Sequence, residues 1–449
     1  MKKVKKYSSV FLAAVMSVVM MLALPQAAFA KENQAYSKKV DGITYTYTVT
    51  KDKAKIVQIK GKKKKKISVP SKLGKYPVLE IGALVFGDEE FSYDADTIVL
   101  PDTVTTIDGC AFYNSEVKNI HFGSSMKNFK DGALTKMYAV KKITVSKKNK
   151  YFTVSKGVLY NKTKTKLVKY PTAQKSKSYS VPSTVKTIGS GAFSTSNYLE
   201  EIKLPKSVTK IESSAFEGCG KLRLAKVPKA LKSIGDYAYA ETDIGSVTLP
   251  SSVSSVGKAA FDGCTRLKKA DLSKSKVKNI KSFAFSDCQK LATVKLPKTV
   301  EKIGSYAFHL TAIKSFAFPK KVTAVSKCVF FFTPLEKVTL SSNTKSIADS
   351  AFEGTKLKSI TIPSKTEKIG KYVFDGCKSL KTITVKSKNV LLKKFSFPFT
   401  NTIETVFYED GTEEQRFVYK PMKVTLKGYK DSTTHQYAKK YGFKFSLIK

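Results

Sequence analysis

The sequence predicts a repeat solenoid, in which short coils of similar sequence stack on one another. A template of Leu-x-x-Ile/Val-x-Leu-Pro, then Val-x-x-Ile, then Ala-Phe-x-x-Cys recurs along the chain, as at residues 199–219. Its closing aromatic returns every 22 to 24 residues, at Phe193, Phe216, Tyr239, Phe261, Phe285, Phe308, Phe330, Phe352 and Phe374. A period of about 20–29 residues that begins with Leu-x-x-Leu-x-Leu is typical of leucine-rich repeats. Each coil of such a solenoid buries its apolar side against the next.

Each coil is predicted to contain one short strand, a second extended segment and one closing turn. In the coil at residues 199–219, Ile202 points inward from the strand, and Pro205 ends the strand because proline cannot donate to a ladder. Residues 213–216 are predicted to form one turn of helix or of 3-10 helix. Phe216 would then fill the coil.

The first thirty residues have the pattern of a secretory signal peptide. Four lysines in the first six residues precede an apolar run at residues 10–24, and Ala28-Phe29-Ala30 fits the small-x-small cleavage rule. An N-terminal membrane anchor is the alternative, but the run is short beside the roughly 20 residues of a span. We therefore predict a signal peptide over residues 1–30, secretion to the cell surface or medium, and no integral membrane segment after cleavage.

Residues 31–80 are predicted to form a β-rich N-terminal cap. The segments at residues 43–49 and 55–59 alternate apolar and polar side chains and are rich in β-branched residues. A solenoid needs such a cap because its end coil would otherwise expose an unpaired edge.

The solenoid is predicted over residues 81–400, interrupted by an inserted β-hairpin at residues 146–178 where the repeat period breaks. A small α+β C-terminal cap is predicted over residues 401–449. There Ser432 is placed to cap a short helix, and Gly442 is placed to end it.

The six cysteines are predicted to be free thiols. An even number in an exported chain favours disulfides. However, Cys219, Cys264, Cys288 and Cys377 each follow a closing aromatic by three residues, which is a fixed inward position. Side chains in equivalent positions of adjacent coils point the same way, a geometry that suits a disulfide poorly. A buried thiol there acts as a small apolar group.

The motif Leu-Pro-x-x-Val-x-x-Ile-Gly-x-x-Ala-Phe-x-x-Cys resembles the BspA-type leucine-rich repeats of bacterial surface proteins. Residues 303–308, Ile-Gly-Ser-Tyr-Ala-Phe, match it closely, and the segments at residues 157–161 and 428–433 also resemble elements of that family. The resemblance extends over nearly all of the expected mature chain. It implies an exported or surface protein, since some members are adhesins for host matrix or other bacteria, and it supplies no catalytic residues.

The charge balance is strongly basic, with 81 Lys and Arg against 35 Asp and Glu, a formal net charge of +46. A net charge of this size bears on the partners and the solubility of a protein, and it does not indicate the fold. For an exported chain, an anionic cell-wall polymer or host glycan is the expected charged partner, and nucleic acid is not. The alternative is that the lysines only solvate a large surface.

The sequence contains no recognisable catalytic or metal-binding pattern. Its three histidines, His121, His309 and His435, are far apart, and none lies beside a cysteine or carboxylate pair at metal-ligand spacing. We expect each histidine at the surface, no cofactor and no metal. The protein is therefore predicted to act by non-catalytic binding rather than as an enzyme.

One candidate binding site departs from the repeat pattern. The two residues after the closing aromatic are polar or glycine in most coils, but they are Phe331-Phe332 in one coil and His309-Leu310 in the coil before it. Adjacent exposed apolar groups would form a contact patch. The alternative is that the turn folds over and buries them.

A second candidate site is the outward face of the first strand in each coil. Ala317, Thr339, Thr361 and Thr384 occupy equivalent outward positions there. Threonine also suits strands for steric reasons alone. Together the two sites predict adhesion to, or recognition of, a surface or matrix protein or an anionic polymer. The alternative function is a structural wall protein held by charge, without a specific ligand.

Overall fold

The computed structural model of the protein describes residues 34–61, 64–87, 95–407 and 413–448. The predicted signal peptide at residues 1–30 lies outside the described residues. The chain divides into two units, Met1–Gln174 and Lys175–Lys449. In the described residues, no helix is long and apolar enough to cross a membrane.

The first unit starts with antiparallel strands and continues into coils. Its strands are β1 (Ala35–Val40), β2 (Ile43–Thr50), β3 (Lys53–Gly61), β4 (Lys66–Ser68), β5 (Lys72–Leu73), β6 (Tyr76–Ile81), β7 (Thr97–Val99), β8 (Thr106–Ile107), β9 (Asn119–Phe122), β10 (Asn128–Phe129), β11 (Lys142–Val145), β12 (Phe152–Ser155), β13 (Val158–Asn161) and β14 (Lys166–Lys169). Strands β1, β2 and β3 form an antiparallel meander, and β3 then pairs in parallel with β6. The two strands predicted from alternation lie within β2 and β3, and Ile43, Tyr45 and Tyr47 are buried.

The coils of the first unit form two parallel ladders, β4-β7-β9-β11 and β6-β8-β10. The unit ends in a meander of β12, β13 and β14, where the sequence predicts an inserted hairpin. Asn149 holds the entry to this meander. Its amide donates to the carbonyls of Gly123 and Met126, each at 2.9 Å, and its carbonyl oxygen accepts from the backbone N–H groups of Tyr151 and Phe152.

The second unit contains the regular repeats. Its strands are β15 (Ser178–Ser180), β16 (Thr187–Ile188), β17 (Glu201–Lys203), β18 (Lys210–Ile211), β19 (Leu224–Ala225), β20 (Ser233–Ile234), β21 (Ser246–Thr248), β22 (Ser255–Val256), β23 (Lys269–Asp271), β24 (Asn279–Ile280), β25 (Thr293–Lys295), β26 (Lys302–Ile303), β27 (Ser315–Ala317), β28 (Ala324–Val325), β29 (Lys337–Thr339), β30 (Ser346–Ile347), β31 (Ser359–Ile362), β32 (Lys368–Ile369), β33 (Thr382–Val385), β34 (Leu391–Leu392), β35 (Phe399–Phe407), β36 (Glu413–Pro421), β37 (Thr425–Gly428) and β38 (Lys444–Leu447). From β15 to β34, each coil supplies one first strand of two to four residues and one second strand of two residues. Most equivalent strands of neighbouring coils pair in parallel, as β21 pairs with β23. The predicted leucine-rich-repeat solenoid is confirmed.

The closing aromatics form the core of the second unit as one stacked ladder. The ring centroids of Phe216 and Tyr239 lie 5.0 Å apart, those of Tyr239 and Phe261 lie 5.5 Å apart, and those of Phe261 and Phe285 lie 5.3 Å apart. These rings are fully buried. Their separation matches the roughly 4.8 Å spacing of paired strands, so one aromatic per coil fills the interior without a gap.

The closing turn differs from the predicted helical or 3-10 turn. The backbone is left-handed two residues before and two residues after the closing aromatic, as at Ser214 (φ 54°) and Gly218 (φ 71°). The N–H groups of Ser214, Phe216 and Gly218 donate to carbonyls of the next coil at 2.8–2.9 Å. Because left-handed residues interrupt a right-handed helix, the segment forms linked turns that hydrogen-bond between coils.

The six cysteines are free, as predicted. The thiols of Cys219, Cys264, Cys288 and Cys377 are buried, and each donates to the carbonyl of the closing aromatic one coil earlier at 3.0–3.1 Å. Burial raises the pKa of the Cys377 thiol to about 11. These cysteines therefore link coils through hydrogen bonds and not through disulfides.

The C-terminal part of the second unit contains the α1 helix (Thr433–Tyr441), the only helix in the described residues. As predicted, Ser432 is the N-cap and accepts from the His435 N–H, while Gly442 ends the helix at φ 76°. Strands β37 and β38 extend the ladder of β31 and β33. The antiparallel hairpin of β35 and β36 is not among the sequence predictions.

Candidate binding surface

The two residues after each closing aromatic of the second unit form two parallel columns, which we name the turn columns. They are Ser194-Thr195, Glu217-Gly218, Ala240-Glu241, Asp262-Gly263, Ser286-Asp287, His309-Leu310, Phe331-Phe332, Glu353-Gly354 and Asp375-Gly376. The N–H of each second-column residue donates to the carbonyl of the first-column residue in the next coil, from Thr195 through Gly354. The backbone therefore fixes the order in which these side chains follow one another.

Every second-column residue has a left-handed backbone, with φ between 52° and 71°. Glycine adopts this conformation freely, and aspartate tolerates it, whereas a bulky side chain there is an outlier. Leu310 (φ 53°) and Phe332 (φ 52°) are the large apolar residues in this column. Each pays a steric penalty of roughly 1–2 kcal/mol that glycine would avoid.

Leu310, Phe331 and Phe332 form what we name the apolar centre of the turn columns. Phe332 is 55% exposed and Leu310 is 36% exposed, while Phe331 is partly buried. The rings of Phe331 and Phe332 meet edge to face, with centroids 4.5 Å apart. The Phe332 ring rests on Gly354 of the next coil, where an added Cβ would come within 2.7 Å of Phe332 Cδ1. The turn therefore leaves Phe332 and Leu310 exposed and does not fold over them.

His309 is buried, which corrects the expectation of a surface position. It is only 7% exposed, its Nδ1 lies 3.3 Å from Ser286 Oγ, and its ring centroid lies 5.6 Å from that of Phe331. Burial lowers the pKa of His309. Phe331 packs against this buried imidazole, so His309 supports the surface from beneath and does not itself offer a contact.

Carboxylates flank the apolar centre on both sides along the columns. They are Glu217, Glu241, Asp262 and Asp287 before it, and Glu353 and Asp375 after it. The turn columns contain no lysine or arginine, although the chain has 81 of them. Within the described residues, no ion pair joins Glu241, Asp262, Asp287, Glu353 or Asp375 to a basic side chain. The columns are therefore a locally acidic surface on a basic protein.

Asp262 is the most buried of these carboxylates. It is 5% exposed, and its Oδ1 has no hydrogen-bond partner in the part of the chain that the structure describes. Burial raises the pKa of Asp262 to about 7, and the charges of Asp287 and Glu241 act in the same direction, while a hydrogen bond from Ser286 opposes the rise. Burial, together with the charge of Asp375, likewise raises the pKa of Glu353.

The second predicted site lies on a different ladder, that of the first strands. Ala317 pairs in register with Thr339, and Thr361 pairs with Thr384. Ala317, Thr339 and Thr361 are exposed, and Thr384 is partly buried. These side chains point outward as expected, but they are small and unstrained, so they offer no anchor comparable with Phe332.

The sequence predictions missed two features of the closing turn. One is that Glu241, Asp262, Asp287, Glu353 and Asp375 form no ion pair with a basic side chain of the described residues, which becomes evident only when ion pairs are measured. The other is a second set of aromatics two residues before the closing position, where Phe283 stacks on Tyr306 at 4.9 Å and Tyr372 stacks on Phe395 at 5.4 Å. Aligning the coils by their closing aromatic would have revealed this additional set of aromatics.

In the described residues, no group of His, Cys, Asp and Glu could hold a metal ion.

Comparison with known families gives one match along the chain. A family model described as BspA type leucine rich repeat region, in six copies, matches residues 81–176, 172–275, 232–358 and 301–416. No curated protein matches.

Solved structures of similar fold come from several bacteria. A leucine rich cell surface protein from Faecalibacterium prausnitzii is 20% identical, with 81% of this chain and 92% of that chain covered and a TM-score of 0.41. A leucine-rich repeat protein from Eubacterium ventriosum is 24% identical, with 76% and 95% covered and a TM-score of 0.36. The pneumococcal vaccine antigen PcpA is 16% identical, with 92% and 99% covered and a TM-score of 0.32.

Proposed function

This chain belongs to the BspA-type leucine-rich repeat family, and from that premise we propose that it is an exported or cell-surface protein that acts by non-catalytic binding. Its role would be adhesion to, or recognition of, a surface or matrix protein. The binding surface is the pair of turn columns, centred on Leu310, Phe331 and Phe332. The observation behind this assignment is an exposed aromatic side chain held in a left-handed backbone.

The side chain at this column position supports a binding role. Glycine occupies it at Gly218, Gly263, Gly354 and Gly376, where it is the unstrained choice. The left-handed backbone belongs to every coil, but Phe332 fills the position with a large apolar ring and exposes it to water. Aromatic residues are also the commonest anchors of protein interfaces.

The direct test compares Phe332→Gly with Ser214→Gly. Both variants place glycine at a left-handed position of the closing turn, but Ser214 lies outside the turn columns, so only the first removes the apolar centre. Binding is measured against a panel of purified matrix proteins on a sensor surface. We expect Phe332→Gly to weaken the partner's affinity at least about tenfold, as for a central interface anchor. We expect Ser214→Gly to retain most of it. Equal affinity of Phe332→Gly and the unaltered protein for every partner would refute the assignment.

The net charge of +46 favours a second candidate function, a structural wall-associated protein held by charge to anionic polymers. Attraction of this kind is spread over many exposed lysines and is screened by salt. It predicts binding to anionic wall polymers that is lost at high salt and is indifferent to Phe332→Gly. The two candidates are therefore separable with the same pair of proteins.

A further inference from the structure

We infer that the turn columns bind a cationic peptide segment, in which one apolar side chain contacts the apolar centre and basic residues on both sides meet the flanking carboxylates. This inference rests on the proposed binding function and names the chemistry of the partner.

The pairing of carboxylates elsewhere in the protein is the first argument. Three acidic side chains outside the turn columns each lie within 4.0 Å of two basic groups. They are Asp108 with Lys55 and Lys130, Asp243 with Arg223 and Arg266, and Glu301 with Lys278 and Lys321. Among the described residues, Asp287 and Glu353 form no ion pair, and Asp287 Oδ1 accepts only the neutral amide N–H of Gln289 at 3.0 Å, although basic residues outnumber acidic ones by 81 to 35. These column carboxylates are therefore available for cations supplied from outside the chain.

The spacing of the acidic groups is the second argument. Asp287 lies one coil before Leu310, and Glu353 lies one coil after Phe332. Three coil steps of about 4.8 Å separate these carboxylates by roughly 15 Å. An extended peptide rises about 3.3 Å per residue, so four to five residues cover that distance. A segment with basic residues about four apart and an apolar residue between them matches the columns.

The nature of the cation is the third argument. Among the described residues, no cluster of metal-ligating side chains exists, so a metal ion does not fit. An anionic polymer would face repulsion from the carboxylates and would leave the apolar centre unused. The distant lysines repel a cationic peptide only weakly, because charges farther away than the screening length of about 8 Å at physiological salt are largely screened. Groups in contact with Asp287 and Glu353 therefore experience mainly those carboxylates.

The test uses three labelled peptides of equal length and the full protein. The first has a central tryptophan between lysines, the second has the same tryptophan between glutamates, and the third has serine between lysines. Fluorescence anisotropy at physiological salt measures the affinity of each peptide. We expect the first peptide to bind at least about tenfold more tightly than each of the others. Equal binding of the first and second peptides would overturn the inference.

Matched variants locate the interaction. Replacing both Asp287 by Asn and Glu353 by Gln should weaken the lysine–tryptophan peptide about tenfold and flatten its salt dependence. The control Glu367→Gln, at an exposed carboxylate that pairs with Lys345 outside the columns, should leave binding unchanged. Thermal unfolding of each variant confirms that it is folded. Unchanged peptide affinity in the Asp287/Glu353 double variant contradicts the inference.

Failure of this inference can be told apart from failure of the proposed function. If matrix-protein binding depends on Phe332 but no peptide preference for basic residues appears, the turn columns are a binding surface with another partner chemistry. If Phe332→Gly changes no binding at all, the proposed function itself is wrong.

Discussion

At the scale of single residues, Phe332 and Gly354 form a matched pair across two coils. Gly354 has φ 69°, and a Cβ there would come within 2.7 Å of the Phe332 ring. Gly354→Ala should therefore lower the free energy of unfolding by roughly 1 kcal/mol through backbone strain. Displacing the Phe332 ring should lower it by roughly a further 1–2 kcal/mol.

The two contributions to Gly354→Ala can be separated with a double-mutant cycle. In the Phe332→Gly background the clash is absent, so Gly354→Ala should then cost only the backbone part, roughly 1 kcal/mol. Denaturant unfolding of the four proteins measures both values. An equal cost in the two backgrounds would show that the ring does not rest on Gly354.

Asp262 makes stability depend on pH. Burial raises its pKa to about 7 in the folded protein, from an ordinary value of 3.8. The folded state therefore holds a proton that the unfolded state releases, and stability falls as pH rises from about 4 to about 7. The full loss is on the order of 4 kcal/mol at alkaline pH.

Replacing Asp262 by Asn removes this titration while preserving the shape of the side chain. We expect Asp262→Asn to be more stable than the unaltered protein at pH 8, with the difference shrinking toward pH 4. Thermal unfolding across that range measures it, and Asp375→Asn, in the same column but less buried, is the control. A constant difference between Asp262→Asn and the unaltered protein at all pH values would show that Asp262 is not the titrating group.

At the scale of elements, the aromatic ladder packs each coil of the second unit against its neighbours. Phe261 is fully buried between Tyr239 and Phe285. Phe261→Ala should cost roughly 3–5 kcal/mol, because the neighbouring coils cannot close the cavity without losing their own hydrogen bonds. The matched control is Phe283→Ala, which removes a partly exposed ring from the same coil and should cost less. A loss below about 1 kcal/mol for Phe261→Ala would mean that the rings are not the packed core.

The elements also show how far the sequence predicts this structure. The period, the buried ladder, the inward thiols and the caps of the α1 helix follow from apolar spacing and from side-chain chemistry at Ser432 and Gly442. The conformation of the closing turn does not, because residues as different as Ser214 and Phe332 adopt the same left-handed backbone. There, hydrogen bonds to the next coil override the preference of the residue.

The burial of His309 was missed for a related reason. Along a turn, neighbouring residues face different directions, so Leu310 is exposed while His309 lies beneath it. The residue types alone do not show that Leu310 faces solvent and that His309 faces the interior. Likewise, Asp287 and Glu353 form no ion pair within the described ranges because of the side chains that neighbouring coils bring near them. The local sequence does not contain that information.

At the scale of the whole molecule, we propose two binding modes with opposite charge preference. A net charge of +46 would attract anionic polymers over a broad surface. The turn columns present carboxylates and exposed apolar groups in one restricted place. A protein of this composition can therefore be retained by a wall polymer and still offer a separate surface to a cationic partner, since the two ligands use different side chains.

Salt should separate these two modes. Each exposed lysine contact with an anionic polymer contributes about 0–1 kcal/mol, and at 1 M salt the screening length falls to about 3 Å. We expect the purified protein to leave immobilised anionic wall polymer by about 0.5–1 M salt. Binding of a partner through Phe332 should weaken less over the same range, because burial of an aromatic ring does not depend on charge.

The same salt series with Phe332→Gly completes the comparison. This variant should leave the anionic polymer at the same salt concentration as the unaltered protein, because every lysine is retained, while its partner binding is weak at all salt concentrations. Polymer binding that persists through 1 M salt would show a specific wall site beyond charge. An earlier release of Phe332→Gly from the polymer would instead place the polymer on the turn columns and contradict the separation of the two modes.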